Sequence, residues 1–270
     1  MALLTLPELR DAVWRANLAL AEAGLVTLSF GNVSGLDPAS GVLLIKPSGV
    51  PYAELRPEQL VAVAIENGLA LEGNLRPSSD TPTHVALYRR YPEIGGVVHT
   101  HSTAAASWAQ AGRSIPPLGT THADHFRGPV PVTRQLREEE VAGDYELATG
   151  EVIVETLERL GLSATDMPAA LVASHGPFTW GASAREAVDN AIALEAVAAM
   201  ASQTFALAPG AVEIQGCLLE RHFQRKHGPA AYYGQEGNHG TDPGRGTDPG
   251  RDTGRDRGRD RGRDSRRGAS

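Results

Sequence analysis

The sequence predicts an α/β fold of three layers, in which helices cover both faces of one sheet. Three observations predict it: short β-rich runs recur along the chain, helical patterns lie between them, and apolar residues repeat at helical spacing within those patterns. With 270 residues, the chain is long enough for one sizeable core. We expect a folded domain over residues 1–235 and a disordered tail over residues 236–270, because the tail is rich in Gly, Arg and Asp and has few apolar residues.

The first half of the domain is predicted to open with a helix. Thr5 and Glu8 have the spacing of a capping box, apolar residues follow at helical spacing, and Gly24 ends the helix. Turn-forming glycines separate the β-rich runs after it. The elements predicted here are strands at Val26–Phe30, Val42–Lys46 and Val61–Ile65, with a short helical segment at Pro57–Leu60.

The second half alternates helices and strands in the same way. Pro77 to Asp80 supply capping residues for the helix that follows, and the segment Gly112–Arg134 is mostly loop with a short strand near Val130–Val132. The other predicted elements are helices at Pro82–Arg90, Ser102–Ala111, Gly150–Arg159 and Ala184–Phe205, and strands at Ile94–His99 and Ala170–Ala173.

Composition excludes several classes of function. The net charge of −7 argues against nucleic acid as a partner, because a phosphate backbone requires a basic surface. The chain shows neither a glycine-rich dinucleotide motif nor a Walker loop. The single cysteine, Cys217, suits a reducing compartment, and we expect a cytoplasmic protein without a membrane partner.

Two histidines at the end of a predicted strand indicate half of a metal site. His99 and His101 are separated by one residue, so both side chains lie on the same face of an extended chain. His175 also follows an apolar strand and is the candidate third ligand, since catalytic zinc sites commonly have three protein ligands. Asp80 is either the N-cap of its helix or a carboxylate at the metal, and its spacing leaves both open.

Three short loops offer groups that bind anions. Glycine N–H groups, serine hydroxyls, a helix N-terminus and one lysine together suit a phosphate. Each loop alone is typical of an ordinary turn, but all three lie at the ends of predicted elements. The candidate phosphate-binding residues of these loops are Gly31, Asn32, Lys46, Ser48, Gly49, Ser78 and Ser79.

Taken together, these blocks resemble the L-ribulose-5-phosphate 4-epimerases of the class II aldolase and epimerase family. The resemblance runs from about Pro7 to Gln235 and is specific, because many blocks occur in one order. It is carried by the segments VTLSFGNVS from Val26, IKPSGV from Ile45, PSSDTPTH from Pro77, HTHS from His99, GTTHAD from Gly119, SHGPF from Ser174 and YYGQ from Tyr232. His125 departs from the pattern, because tyrosine is expected there, and so does Val132, where cysteine is common.

The resemblance implies a central, mostly antiparallel sheet and a metal-dependent C4 epimerisation of L-ribulose 5-phosphate to D-xylulose 5-phosphate, in L-arabinose catabolism. It implies Zn2+ on His99, His101 and His175 with Asp80 at the metal, although Mn2+ or Co2+ also suits imidazole ligands. It makes Asp124 and Tyr233 the acid/base pair and places the active sites between subunits of a homotetramer. Weaker candidates near the subunit interface are Thr120, Glu146 and His222.

Three alternatives remain open at this point. A class II sugar-phosphate aldolase of the L-fuculose-phosphate type would share the metal and the retro-aldol step. A zinc hydrolase would need a metal-bound water and a general base, and the phosphate loops speak against it. A non-catalytic module of adducin type would have lost the ligands, yet the three histidines, Asp124 and Tyr233 are all present.

Overall fold

The computed structural model describes residues 5–72 and 74–232, without the side chain of Glu72. Groups of strands and helices follow one another along this part of the chain, and two short 3-10 turns, Tyr52–Glu54 and Pro57–Gln59, follow the second strand. The other elements are, in order, α1 (Leu6–Glu22), β1 (Asn32–Asp37), β2 (Val42–Ile45), β3 (Val61–Ala64), β4 (Ala70–Glu72), α2 (Thr81–Arg90), β5 (Gly96–His99), α3 (Thr103–Gln110), α4 (Thr120–Ala123), α5 (Glu138–Ala142), α6 (Tyr145–Leu160), β6 (Ala169–Val172), β7 (Gly176–Gly181), α7 (Ala184–Leu207) and α8 (Gly216–His227).

The strands of the described residues form one antiparallel sheet in the order β4-β3-β2-β1-β5-β7-β6. Side chains alternate between its two faces, so Leu43 and Ile45 of β2 point into one core and Leu44 into the other. The first core is covered by α2, α3 and α6, and the second by α1, while α7 contributes to both. The predicted three-layer α/β fold is therefore confirmed.

Helix α1 follows its sequence signals closely. Thr5 donates its backbone N–H to the Glu8 carboxylate over 2.8 Å, as the capping box predicts. The buried stripe of α1 packs on β1, where a side chain at Gly35 would place its Cβ 2.6 Å from Val13 Cγ2. Glycine at this position therefore allows the helix to approach the sheet.

The predicted strand at Val26–Phe30 is wrong. The structure has a turn there, with Leu28 at φ 57°, and the strand begins only at Asn32, which the sequence pattern had assigned to a turn. The register explains the shift, because Asn32 pairs with His99 of β5. Gly31, at φ 80°, fits only without a side chain, since its Cβ would lie 2.9 Å from the His99 carbonyl oxygen.

The predicted strand near Val130–Val132 is also wrong. Val130 bridges to Ile115 and Val132 to Leu171, but each contact is an isolated bridge rather than part of a ladder. The other predicted strands and helices are present, with α6 beginning five residues earlier than the pattern suggested. Strands β4 and β7, the short helices α4 and α5, and helix α8 were not anticipated.

Among the described helices, α7 alone is long and apolar enough to pass a composition test for a membrane span. That is weak support for a span, because core helices pass the same test and α7 packs into both cores. The predicted tail at 236–270 lies outside the described residues, so the domain boundary stays a prediction.

Candidate metal and phosphate site

The structure brings the three predicted histidines together. His99 ends β5, His101 follows it by two residues, and His175 lies in the turn between β6 and β7, which pairs with β5. The ring centroids are 4.9 Å apart for His99 and His101, 4.7 Å for His99 and His175, and 5.1 Å for His101 and His175. One nitrogen from each ring lies within 4.8 Å of the others, which is close enough for all three to bind one ion.

The turn that carries His175 contains one residue with a positive φ and one position that has room only for glycine. Ser174 has a φ of 60°, which turns the chain sharply after β6. At Gly176, a Cβ would lie 2.7 Å from the Thr100 carbonyl oxygen and 3.6 Å from atoms of both His99 and His101. Glycine at 176 therefore lets the two histidine segments approach each other.

Hydrogen bonds outside the triad select the nitrogens that face the centre. His99 Nδ1 lies 3.0 Å from the Pro177 carbonyl oxygen, which requires the proton on Nδ1 and leaves Nε2 with its lone pair. His175 Nδ1 lies 3.1 Å from the Tyr145 hydroxyl, and Phe178 stacks on His99 at 4.1 Å. Outer contacts of this kind orient imidazole ligands at metal sites.

The donor set fits a divalent transition metal. His99 Nε2 and His101 Nε2 lie only 3.0 Å apart, so they require either a shared proton or a cation between them. Burial lowers the pKa of His99 and His175, which keeps these imidazoles neutral, as metal ligands must be. Zinc, manganese and cobalt all bind imidazole nitrogen, and the geometry does not choose among them.

Asp80 faces the site instead of capping its helix. It holds the N-cap position of α2, but its side chain makes no capping hydrogen bond. Its Oδ2 accepts hydrogen bonds from Asn32 Nδ2 at 2.6 Å and from Ser78 Oγ at 3.4 Å. Burial alone would raise the pKa of Asp80. The charges of His99 and His84 and the hydrogen bond from Asn32 together lower the pKa by more, so it lies below its usual value. The structure thus argues against the helix cap, while the group that could hold a metal consists of the three histidines without Asp80, so a carboxylate at the metal stays a prediction.

The three predicted phosphate loops converge beside Asp80. Ser78 N–H donates to the Lys46 carbonyl over 3.1 Å, and Ser48 N–H donates to the Arg76 carbonyl over 3.0 Å. Asn32 Nδ2 also donates to Ser78 Oγ at 3.0 Å, which joins the first loop to the third. Three residues of these loops are exposed and accessible to a ligand, namely Ser48, Gly49 and Ser79.

Lys46 is a buried cation without a counter-ion among the described residues. The residue is 1% exposed, and no carboxylate in residues 5–72 and 74–232 pairs with it. Its Nζ donates over long distances to the carbonyls of Ser29 at 3.3 Å and Pro47 at 3.4 Å. Burial lowers its pKa to about 8. A buried unpaired charge is costly, and an incoming anion would relieve that cost.

Asp124 belongs to a second cluster, between α4 and α8. Its carboxylate accepts hydrogen bonds from Arg225 Nε at 3.0 Å, Arg225 Nη2 at 2.8 Å and His222 Nδ1 at 3.0 Å. Burial would raise the pKa of Asp124, but these hydrogen bonds lower it by more. His125, the departure from the family pattern, lies 3.0 Å from Lys226 Nζ through its Nε2.

The remaining candidates divide between the two clusters. Thr120 begins α4 and accepts a backbone hydrogen bond from Asp124, while Glu146 lies in the first turn of α6 beside Tyr145, the partner of His175. Tyr233 lies outside the described residues, so its predicted role is not addressed by the structure. No described contact of Asp124 reaches the three histidines.

Sequence analysis missed four residues that complete these clusters. Tyr145, His84 and Tyr52 carry no signal in the sequence, because each acts through contacts between distant segments. Arg225 was detectable, since it follows His222 by three residues and shares its helix face.

The chain belongs to the class II aldolase and adducin family. Residues 11–202 match the family described as the class II aldolase and adducin N-terminal domain. The match includes β1 to β7 and all three histidines, so the fold and the metal-site geometry described above are those of a family member.

Individual relatives narrow the comparison. The chain is 53% identical over 229 residues to the L-ribulose-5-phosphate 4-epimerase UlaF of Salmonella paratyphi A, a match that covers 85% of this chain and 99% of that protein. Among solved structures, YgbL of Klebsiella pneumoniae, described as an aldolase, epimerase or decarboxylase, aligns at a TM-score of 0.64 with 26% identity over 81% of this chain and 99% of its own. An L-fuculose 1-phosphate aldolase aligns at the same TM-score of 0.64 with 19% identity over 83% of this chain and 99% of its own, and supports the fold alone.

Proposed function

We propose that the protein is a metal-dependent epimerase that converts L-ribulose 5-phosphate to D-xylulose 5-phosphate by inversion at C4. The observation that carries this proposal is the 53% identity to an epimerase of that specificity over 99% of the relative's length. The site supports it independently, because a three-histidine centre lies beside loops that surround Lys46, a buried cation with no carboxylate partner in the described part of the chain.

The substrate explains why both parts of the site are needed. Its carbonyl is at C2, so the hydrogen on C4 is not adjacent to the carbonyl and no enolate route removes it. A retro-aldol step avoids the difficulty: the C4 hydroxyl loses a proton, the C3–C4 bond breaks, and its electrons stay with the three-carbon fragment as an enediolate. Glycolaldehyde phosphate then rotates and is attacked on its opposite face, which re-forms the C3–C4 bond with inverted configuration.

The residues of the chain have distinct roles in this proposed reaction. Lys46, the N–H groups at Gly31 and Gly49 and the hydroxyls of Ser48, Ser78 and Ser79 hold the phosphate, so the aldehyde fragment is retained while it turns. Asn32 orients Asp80 and Ser78. Held by the histidines and Asp80, a divalent metal supplies Lewis acidity for the negative charge that develops on the three-carbon half. We propose Zn2+ as that metal, with Mn2+ or Co2+ as substitutes.

Proton transfer is assigned to Asp124 and Tyr233, one on each side of the aldehyde. Asp124 lies at the C-terminal end of α4 and contacts α8, and none of its described contacts involves the three histidines. This lack of contact supports a homotetramer in which Asp124 and Tyr233 of one subunit serve the metal of its neighbour. Thr120 and His222 lie with Asp124 at that proposed interface, whereas Glu146 lies on the metal side.

The test is proton NMR of the metal-loaded protein with L-ribulose 5-phosphate in D2O. We expect D-xylulose 5-phosphate to accumulate without free dihydroxyacetone and without deuterium at C3 or C4, because the retro-aldol route breaks no C–H bond. Deuterium at C4 would contradict the retro-aldol step. Free dihydroxyacetone and glycolaldehyde phosphate would favour the alternative function, a class II sugar-phosphate aldolase, whose fold this chain shares.

Sharing of the site between subunits has its own test. His101→Asn and Asp124→Asn variants should each be nearly inactive, and hybrids assembled from both should regain activity because some interfaces then hold an intact set. Hybrids that stay inactive would place both residues in one subunit's site. A cytoplasmic location stays a prediction. A place in L-arabinose catabolism also stays a prediction, because the same epimerisation serves any route from L-ribulose 5-phosphate to D-xylulose 5-phosphate.

A further inference from the structure

The Lys46 ammonium rests on an aromatic face. Its Nζ lies 4.8 Å from the centroid of the Tyr52 ring, within the range of a cation–π contact. Its other described partners are two carbonyl oxygens at 3.3 and 3.4 Å, both long for a charged donor. Among the described contacts of the Lys46 ammonium, the cation–π contact with Tyr52 is therefore the one whose distance lies well within its usual range.

Tyr52 itself is firmly placed. It is buried, begins a 3-10 turn that follows the Ser48-Gly49 loop, and donates its hydroxyl to the Phe30 carbonyl over 3.3 Å. Burial raises the pKa of Tyr52, so it remains a neutral phenol with an intact ring face. Burial of the ring holds it in place together with this hydroxyl contact, and Phe30 in turn stacks on His101 at 6.2 Å.

We propose that Tyr52 is a positioning residue for phosphate binding: its ring face holds the Lys46 ammonium in the place where the anion is received. The inference rests on the proposed function in that Lys46 binds the substrate's phosphate. A pre-placed ammonium loses less freedom when the anion arrives, and preorganisation of this kind raises affinity. Loss of the ring should therefore weaken phosphate binding and leave the chemical step intact.

A series of ring-fluorinated phenylalanines at position 52 tests the proposal with little change in shape. Fluorine withdraws electrons from the ring face, so the cation–π contact weakens stepwise from Phe through 4-fluoro-Phe to 3,4,5-trifluoro-Phe. Calorimetry of inorganic phosphate binding to the metal-loaded full chain should give a Kd within about twofold of wild type for Tyr52→Phe. The Kd should then rise stepwise, to roughly fivefold or more for the trifluoro variant.

The same series in a Lys46→Met background is the matched control, because it contains no cation for the ring to hold. There the Kd should not depend on fluorination, and the difference between the two series isolates the Lys46–Tyr52 pair. A Kd that stays flat in the Lys46 series, or that rises equally in both series, overturns the proposal. Tyr52→Leu, if it folds, should weaken phosphate binding by roughly tenfold.

Kinetics separate this inference from the proposed function. With L-ribulose 5-phosphate, the series should raise KM in parallel with the phosphate Kd and keep kcat within about twofold, whereas a purely structural role would lower kcat without a fluorination trend. If phosphate binding follows the series while the sugar phosphate is not converted, the epimerase proposal fails and the role of Tyr52 stands.

Discussion

Replacing Lys46 by methionine should stabilise the protein while weakening its affinity for phosphate. The lysine is 1% exposed and has no carboxylate partner among the described residues. Burial lowers its pKa from 10.5 to about 8, and at 1.36 kcal/mol per pKa unit this corresponds to a destabilisation of about 3 kcal/mol in the charged state. The cation–π contact and the two carbonyl contacts offset part of this burial cost, so we expect the free energy of unfolding to rise by about 1–3 kcal/mol when a methionine fills the same space.

The pH dependence gives this prediction its sign. The pKa of Lys46 is lower in the folded than in the unfolded chain, so its penalty is complete below about pH 8 and disappears as pH rises toward 10.5. The free energy of unfolding should be measured for metal-loaded wild type and Lys46→Met at the same protomer concentration. The variant should exceed wild type at pH 7, and the difference should be smaller at pH 9.5. A variant that is less stable at pH 7, or equally stabilised at both pH values, would refute the reasoning.

Three further predictions follow from the same geometry. His101→Asn removes one of three imidazoles, so metal affinity should fall by more than about tenfold and turnover should nearly cease; normal metal content after dialysis and normal turnover would contradict the site. Asn32→Ala removes the amide donor to Asp80, and metal titration should show roughly tenfold weaker binding with the fold retained; unchanged affinity would mean that Asp80 is held by other contacts. kcat/KM should fall as pH rises through about 8, because free Lys46 then loses its proton. Lys46→Arg stays charged, so its kcat/KM should no longer fall above about pH 8, even if its maximal kcat/KM is lower than that of wild type. A fall in kcat/KM that persists in this variant would belong to another group.

The candidate metal centre could be predicted in part, because two of its three histidines are related by short-range geometry. His99 and His101 share a face by strand alternation, and His175 lies in a turn whose glycine is visible in the sequence. The hydrogen bonds that orient these rings could not be predicted. Tyr145 reaches His175 from another helix, and nothing near Tyr145 in sequence distinguishes it from an ordinary amphipathic aromatic.

The first strand shows why local propensity misled the prediction. Val26–Phe30 is rich in β-forming residues, whereas Gly31 and Asn32 are typical turn residues in isolation. The sheet register overrides both tendencies, because Asn32 pairs with His99 and the backbone must pass within 2.9 Å of the His99 carbonyl at Gly31. The misplaced strand is thus a consequence of the same close approach that brings Asn32 to Asp80.

The contacts of Asp124 favour its ionised form. Arg225 keeps its charge at every working pH, and its two hydrogen bonds, with a third from His222, lower the pKa of the Asp124 carboxyl. A carboxylate whose pKa is lowered in this way is ionised at neutral pH and therefore available as a base, although the same contacts make it a weaker base. Asp124 therefore suits the step in which a C4 hydroxyl is deprotonated, and the opposite transfer, delivery of a proton to the other face, requires a group outside this cluster, as the proposed role of Tyr233 provides.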